Sequence, residues 1–180
     1  MKFSTKIKEL EDGVKEIAIR NEEGSPLVMK FKNVRVASVG DDILLEVASA
    51  GGLAELEGEV LGKAKECKES WFGKALADAR IESAFSPSYS VEGGLLSVRP
   101  SDSMKYYDSK LVLTEDAVLA EDSRVDVVVQ LSGVHFLQKS FEPVWVLHQV
   151  KFRSAARKSV AEFSECMFEE EQDEDEDEFF

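Results

Sequence analysis

Residues 125–152 read VDVVVQLSGVHFLQKSFEPVWVLHQVKF, and apolar and polar side chains alternate through much of this stretch. Such alternation is typical of β-strands, because successive side chains point to opposite faces of a sheet. Ser132-Gly133 interrupts the stretch, and residues 140–143 (SFEP) carry turn-forming residues. The segment therefore predicts antiparallel strands joined by short connections at the end of a folded domain.

Upstream of this segment, shorter strands are predicted at residues 14–20, 27–36, 43–47 and 95–99. The turn cluster at 21–26 (NEEGSP) predicts that the first two of these form a hairpin. Residues 101–109, which include a doubled tyrosine, are expected to form an exposed loop. Several strands separated by turns are typical of a mainly β domain, either a small antiparallel barrel or a sandwich.

Residues 52–72 show a different period. Apolar residues recur there every three or four positions, which predicts one amphipathic helix that covers a face or an end of the sheet. These residues are Leu53, Leu56, Val60, Ala64, Cys67 and Trp71. For Cys67, Trp71 and Phe72 the favoured interpretation is core packing.

The last twelve residues, 169–180, read EEEQDEDEDEFF and contain nine carboxylates. A run of like charges without apolar periodicity predicts a disordered tail. Without it, the net charge of −14 becomes −5, with 27 acidic against 22 basic residues in 1–168, so a basic surface can still exist. The predicted organisation is an arm (1–13), a domain (14–158), and a linker with the tail (159–180).

The end of the tail, Glu176-Asp177-Glu178-Phe179-Phe180, combines carboxylates with two aromatic residues. Solubility gives no reason to place two aromatic side chains in water. The end of the tail therefore favours a peptide that docks in a basic pocket of a partner over a tail that merely keeps the chain in solution.

Several function classes find little support in the sequence. It contains no apolar run of the roughly 18–20 residues that a membrane span requires, and no signal peptide is predicted. Cys67 and Cys166 are expected to be free thiols of an intracellular protein. His135 and His148 lack neighbours at metal-ligand spacing, and neither a phosphate-binding loop nor a nucleophile elbow occurs. We therefore predict a non-enzyme without cofactor or metal.

Strict alternation along residues 144–153 predicts two faces. Val144, Val146, His148, Val150 and Phe152 would face the core, and Trp145, Leu147, Gln149, Lys151 and Arg153 would face outward. An aromatic ring beside cations suits a surface that stacks bases and neutralises phosphates. The alternative is that Trp145 lies under the helix or in a dimer contact. Phe136 is interpreted as either a core residue or a second stacking platform. Further candidates for the same nucleic-acid-binding surface are Lys139, Arg99, Lys105, Tyr106, Tyr107, Arg157 and Lys158.

Several segments occur in an order that resembles a known family. They are 21–27 (NEEGSPL), 70–74 (SWFGK), 85–88 (FSPS), 131–141 (LSGVHFLQKSF), 143–145 (PVW) and 149–150 (QV). Together they resemble the single-stranded-DNA-binding proteins of large eukaryotic DNA viruses, which are similar in turn to those of podophages. The resemblance implies an OB-fold with an inserted helix, a homodimer, and an acidic, aromatic-ended tail that competes with DNA and contacts replication enzymes such as a polymerase or helicase.

The residues and the resemblance together predict a non-catalytic single-stranded-DNA-binding protein of DNA replication, recombination or repair, acting in a host nucleus or a cytoplasmic viral replication site. Two alternatives from other classes remain. The first is an acidic histone-chaperone-like protein that binds basic partners through its tail. The second is a structural dimerisation module without a ligand.

Overall fold

A computed structural model of the 180-residue chain describes residues 1–10, 13–47, 52–115 and 117–153. The predicted linker and acidic tail, together with the candidates Arg157 and Lys158, lie outside the described residues.

The described residues form nine strands and three helices. The strands are β1 (Lys2–Phe3), β2 (Lys8–Glu9), β3 (Lys15–Arg20), β4 (Leu27–Val39), β5 (Ile43–Glu46), β6 (Tyr89–Ser90), β7 (Leu95–Tyr107), β8 (Arg124–Phe136) and β9 (Phe141–Phe152). The helices are α1 (Leu53–Glu66), α2 (Lys68–Phe72) and α3 (Asp78–Ala84). Residues 101–107 continue β7, so the prediction of an exposed loop there is wrong for most of its length.

Five of the strands close into a barrel. β4 pairs with β5, β5 with β7, β7 with β9, β9 with β8, and β8 returns to β4. All of these pairings are antiparallel except that of β7 with β9, which is parallel. A small five-stranded barrel of this kind is the OB-fold architecture. The predicted mainly β, OB-fold-like barrel is confirmed.

The N-terminal strands extend the barrel at β8. β3 pairs with the end of β8, where Ile17 lies opposite Val134, and β1 and β2 pair with β3. β4 pairs with the preceding half of β8, so β3 and β4 follow one another along the same strand. The predicted hairpin of residues 14–20 with 27–36 is therefore wrong. Two short strands within the predicted N-terminal arm, β1 and β2, pair with β3.

Gly133 permits this close approach of β3 to β8. A Cβ atom at Gly133 would lie 2.6 Å from the backbone oxygen of Ile17, which is closer than real contacts allow. Glycine is therefore required at position 133 for a structural reason, because any side chain there would push the two strands apart.

The predicted amphipathic helix is divided in two at Cys67, where α1 ends and α2 begins. Leu53, Val60 and Ala64 of α1 are buried against the barrel, as the apolar period predicts. Trp71 and Phe72 of α2 pack edge-on against Phe136, with ring centroids 5.7 Å apart in both pairs. The third helix, α3, was not predicted; its buried residue Ile81 joins the same core.

Two irregularities in the β8–β9 ladder decide which side chains face outward. Val128 lies opposite Gln149 and Val129 opposite Leu147, so His148 is an extra residue on β9. Leu131 lies opposite Trp145 and Gly133 opposite Val144, so Ser132 is an extra residue on β8. Each β-bulge reverses the alternation of the strand that carries it. Gln149 and Lys151 consequently face outward, whereas Trp145 and Leu147 face the core.

Candidate nucleic-acid interface

The outer faces of four neighbouring strands form one continuous surface, called the cationic face below. Its residues are Lys30 and Lys32 of β4, Lys105 and Tyr107 of β7, Asp126 and Val128 of β8, and Gln149, Lys151 and the adjoining Arg153 of β9. Strand pairing sets them in rows: Lys105 lies opposite Gln149, Gln149 opposite Val128, and Val128 opposite Lys30. The barrel thus assembles side chains that are more than a hundred positions apart in the sequence.

The electrostatics of the cationic face are one-sided, with five cations and one carboxylate among its residues. Asp126 accepts a hydrogen bond from Arg153 Nη1 at 2.9 Å and lies 3.8 Å from Lys151 Nζ. Burial opposes the ionisation of Asp126, but the backbone N–H of Asn33 and the guanidinium of Arg153 outweigh it and hold the pKa of Asp126 below its usual range. Asp126 therefore remains a carboxylate that neutralises part of the charge at this end of the face.

The remaining three cations are not neutralised in the same way. Lys30, Lys32 and Lys105 are exposed. Within the part of the chain that the structure describes, no carboxylate lies within ion-pair distance of their ammonium groups. In a chain with a net charge of −14, such a cluster attracts a polyanion locally.

A small depression, called the apolar pocket below, lies within the cationic face and has a volume of about 240 Å³. Its lining consists of Lys30, Phe31, Lys32, Tyr107, Leu111, Asp126, Val127, Val128, Gln149 and Lys151. The tip of the hairpin that follows β7 contributes Leu111, while Asp108 accepts hydrogen bonds from the backbone N–H groups of Lys110 and Val112 and holds the hairpin turn. The surface therefore combines phosphate-neutralising groups with an apolar hollow.

Five of the predicted site residues meet on this face: Lys105, Tyr107, Gln149, Lys151 and Arg153. Sequence reasoning missed Lys30, Lys32 and Leu111. A signal for the two lysines was present, because Val28, Lys30 and Lys32 share one side of a strand at period two. What the sequence did not show is that this strand lies beside β8.

Trp145 does not belong to the interface, and its predicted role as a stacking platform is wrong. Its side chain is 1% exposed and lies under α1, where the indole Nε1–H donates a hydrogen bond to Glu57 Oε1 at 3.3 Å. The bulge at His148 turns it inward. The alternative interpretation, that Trp145 lies beneath the helix, agrees with the structure.

Glu57 is a buried carboxyl group that the sequence analysis did not single out. It is 3% exposed and projects from α1 toward the barrel. Burial raises the pKa of Glu57 to about 7, although the backbone N–H groups of Tyr89 and Ser88 and the indole of Trp145 donate hydrogen bonds to it and oppose that rise. Its surroundings are those of a core group that fastens α1 to the barrel.

Two aromatic candidates serve the core instead of the cationic face. Phe136 is half-buried and stacks on Phe141, with ring centroids 6.0 Å apart. Tyr106 stacks on Phe152 at 6.0 Å, and burial raises the pKa of its phenol. The core interpretation of Phe136 agrees with the structure. The prediction that Tyr106 stacks on bases is wrong for the face of its ring that Phe152 covers.

Two cationic candidates lie elsewhere. Arg99 is engaged by Glu142 at 2.7 Å, by His135 Nδ1 at 3.0 Å and by Asp42 at 3.6 Å, so its charge is already matched. Lys139 follows β8 in the connection to β9 and lines a separate groove of about 550 Å³ beside α2 and α3. Neither residue extends the cationic face.

The described residues contain neither a metal-binding cluster nor a membrane-spanning helix. Among the described residues, no three His, Cys, Asp or Glu side chains are grouped so that they could hold a metal ion. Within the same ranges, no helix has the length and apolar character needed to cross a membrane.

The fold and the surface together define an OB-fold barrel with a cationic outer face. A model of a family of unknown function, DUF5871, matches residues 32–168, which is more than half of the chain, and the chain belongs to that family. A comparison with curated protein sequences gives no match. The predicted membership in the viral family of single-stranded-DNA-binding proteins stays a prediction.

Among solved structures, the chain is similar to the single-stranded DNA-binding protein from bacteriophage Enc34. The sequences are 13% identical, the match covers 91% of this chain and 93% of that chain, and the TM-score is 0.45. It is also similar to the single-stranded DNA-binding protein from bacteriophage Enc34 in complex with ssDNA, with 13% identity, 88% and 96% coverage and a TM-score of 0.43. At this level of similarity neither structure assigns a function to the chain.

Proposed function

We propose that the protein is a non-catalytic single-stranded-DNA-binding protein and that the cationic face holds the strand. The observation that carries the proposal is the concentration of five cations around Tyr107 on one outer face of an acidic chain. Three of these cations, Lys30, Lys32 and Lys105, are exposed side chains available to phosphates. Sequence-tolerant binding of single strands combines such a basic track with aromatic stacking.

The preference for a single strand follows from the apolar part of the face. Tyr107 and the apolar pocket offer contacts to the flat faces of bases. In a duplex these faces are covered by neighbouring bases, whereas in a single strand they can turn toward the protein. Cations without such contacts would bind both forms through their phosphates.

The direct test is fluorescence anisotropy of labelled oligo-dT and of a duplex of equal length, measured with the full chain at several salt concentrations. If Lys30, Lys32 and Lys105 each meet a phosphate, the logarithm of the affinity should fall with the logarithm of the salt concentration with a slope of about −2. Tighter binding of oligo-dT than of duplex is expected.

A charge-reversal experiment assigns this binding to the cationic face. Lys30→Glu combined with Lys105→Glu should weaken oligo-dT binding by more than about tenfold and make the salt slope shallower by roughly 1.4, because two phosphate contacts are lost. Lys8→Glu combined with Lys15→Glu is the matched control, since both lysines are exposed and lie on β2 and β3, outside the cationic face. Equal losses in the two proteins would show that the effect is one of net charge and would contradict the proposed interface.

We further propose that residues 169–180 compete with DNA for the cationic face and, when displaced, recruit a replication enzyme such as a polymerase or helicase. A tethered anion has an effective concentration on the order of mM, so even a weak contact would gate binding. Removal of residues 169–180 should therefore tighten oligo-dT binding, most of all at low salt. Unchanged affinity at low salt would remove the competition from the proposal but leave DNA binding intact.

The setting that the sequence resemblance implies is also proposed here: an intracellular homodimer that acts in viral-type DNA replication, recombination or repair. Failure of the full chain and of the truncated chain to bind oligo-dT would instead favour the histone-chaperone-like alternative. In that case the tail would carry the affinity, and its removal should abolish binding to histones.

A further inference from the structure

We propose that the apolar pocket binds one unstacked nucleobase, which would lie between Tyr107, Leu111 and the floor formed by Val128. The inference rests on the proposed function and deepens it, because it separates a base-binding position from the phosphate track of the same face. It also assigns a role to the hairpin that follows β7.

The size and chemistry of the pocket support this occupant. Its volume of about 240 Å³ lies below the roughly 300–1,000 Å³ that is usual for pockets of drug-sized ligands. Its floor includes the aliphatic side chain of Val128, and Lys30, Lys32 and Lys151 also line it. An apolar hollow edged by cations fits a ligand with a flat apolar part joined to anionic groups, and a nucleotide within a strand is such a ligand.

Leu111 provides a second, independent observation. Its side chain is 67% exposed although it is a large apolar residue, and its φ angle of 67° lies in the left-handed region that non-glycine residues seldom adopt. The Asp108 hydrogen bonds fix the turn that imposes this conformation. An exposed leucine that is held in an unfavourable backbone conformation beside a cationic face is better explained by contact with a ligand than by packing.

Gln149 completes the pocket at its polar side. The residue is exposed, and within the described ranges its side-chain amide has no hydrogen bond to another side chain. An amide offers both a donor and an acceptor, so it can meet the polar edge of a base whose flat face lies against Tyr107. The pocket thus offers an apolar wall and a polar group, as a base requires.

The test compares two labelled strands that carry the same number of phosphates, oligo-dT and an abasic strand, by anisotropy with the full chain. The quantity of interest is the ratio of the two affinities. Tyr107→Ala should lower this ratio by roughly 5- to 150-fold, the range for loss of one base-stacking contact. Leu111→Gly should lower it several-fold, and the glycine relieves the backbone strain, so this variant should fold at least as well as the wild type.

Val112→Ser is the matched control, because Val112 lies on the same hairpin, is 58% exposed and does not line the pocket. An unchanged ratio in this control, together with a reduced ratio in both pocket variants, is the expected result. If the wild type binds both strands equally, or if its preference survives both substitutions, the base pocket is refuted while DNA binding by the cationic face stands. If neither strand binds, the proposed function itself fails, and the pocket fails with it.

Discussion

Protonation of Glu57 should make the stability of the protein depend on pH in an unusual direction. Burial raises the pKa of this carboxyl group from its ordinary value of 4.5 to about 7. Between these two values the folded chain holds a proton that the unfolded chain releases, so the folded state is favoured at low pH. As pH rises from 4.5 to about 7, the free energy of unfolding should fall, because ionisation of Glu57 stabilises the unfolded chain while the buried carboxyl group of the folded chain stays protonated.

The magnitude follows from the size of the shift. One pKa unit corresponds to 1.36 kcal/mol, so a rise from 4.5 to about 7 makes the folded state about 3 kcal/mol less stable above pH 7 than below pH 4.5. Glu57→Gln removes the titration but keeps an oxygen that can accept the Trp145 N–H. The variant should therefore show a flatter pH profile, even if the amide satisfies the neighbouring N–H groups less well than the carboxyl group does.

The assay is urea unfolding of the wild type and of Glu57→Gln at intervals between pH 4.5 and 8. The free energy of unfolding of the wild type should fall by about 3 kcal/mol more than that of the variant across this range. Glu92→Gln is the control, because Glu92 is exposed in the turn between β6 and β7. If the wild type and Glu57→Gln differ by a constant amount at every pH, Glu57 does not titrate in this window, and its described surroundings are wrong.

Two further substitutions test other parts of the structure. Gly133→Ala should destabilise the protein by about 1–3 kcal/mol in urea unfolding, since the added Cβ would lie 2.6 Å from the Ile17 oxygen. The control is Gly62→Ala in α1, where a Cβ meets nothing within 4 Å; it should be neutral or stabilising by up to about 1 kcal/mol. Similar losses of stability in both variants would contradict the packing explanation. Asp126→Asn should tighten oligo-dT binding several-fold, most of all at low salt, because it releases Lys151 and Arg153 from their carboxylate. Fluorescence anisotropy measures this change. Weaker binding by the variant would contradict the prediction and would mean that these cations need Asp126 to hold them in place.

The strands themselves could be predicted because alternation is a local signal, but the faces of β9 could not. Residues 144–147 are all apolar, so the sequence is compatible with either face pointing inward. Downstream, Gln149 and Lys151 are polar and Val150 and Phe152 are apolar, and there the predicted faces are confirmed. Because of the bulge at His148, odd-numbered residues face the core before it (Trp145 and Leu147) and even-numbered residues face the core after it (Val150 and Phe152). The local sequence pattern does not indicate this bulge.

The prediction of the site residues was incomplete for a different reason. Lys30 and Lys32 reach the cationic face because β4 lies beside β8, a pairing between residues roughly a hundred positions apart. The expected local hairpin of residues 14–20 with 27–36 obscured that pairing. Long-range strand order depends on the packing of the whole barrel, so a reading of single segments does not supply it.

The positions of the two tryptophans have a practical consequence for spectroscopy. Trp145 is sealed beneath α1, and Trp71 packs among Phe3 and Phe136. Neither indole lies on the cationic face, so a strand bound there has no indole to quench by stacking. Tryptophan fluorescence should therefore change little when DNA binds, and a label on the oligonucleotide is required to follow binding. For the same reason, the fluorescence of Trp145 should report on the docking of α1 and on the ionisation of Glu57 even while DNA is bound.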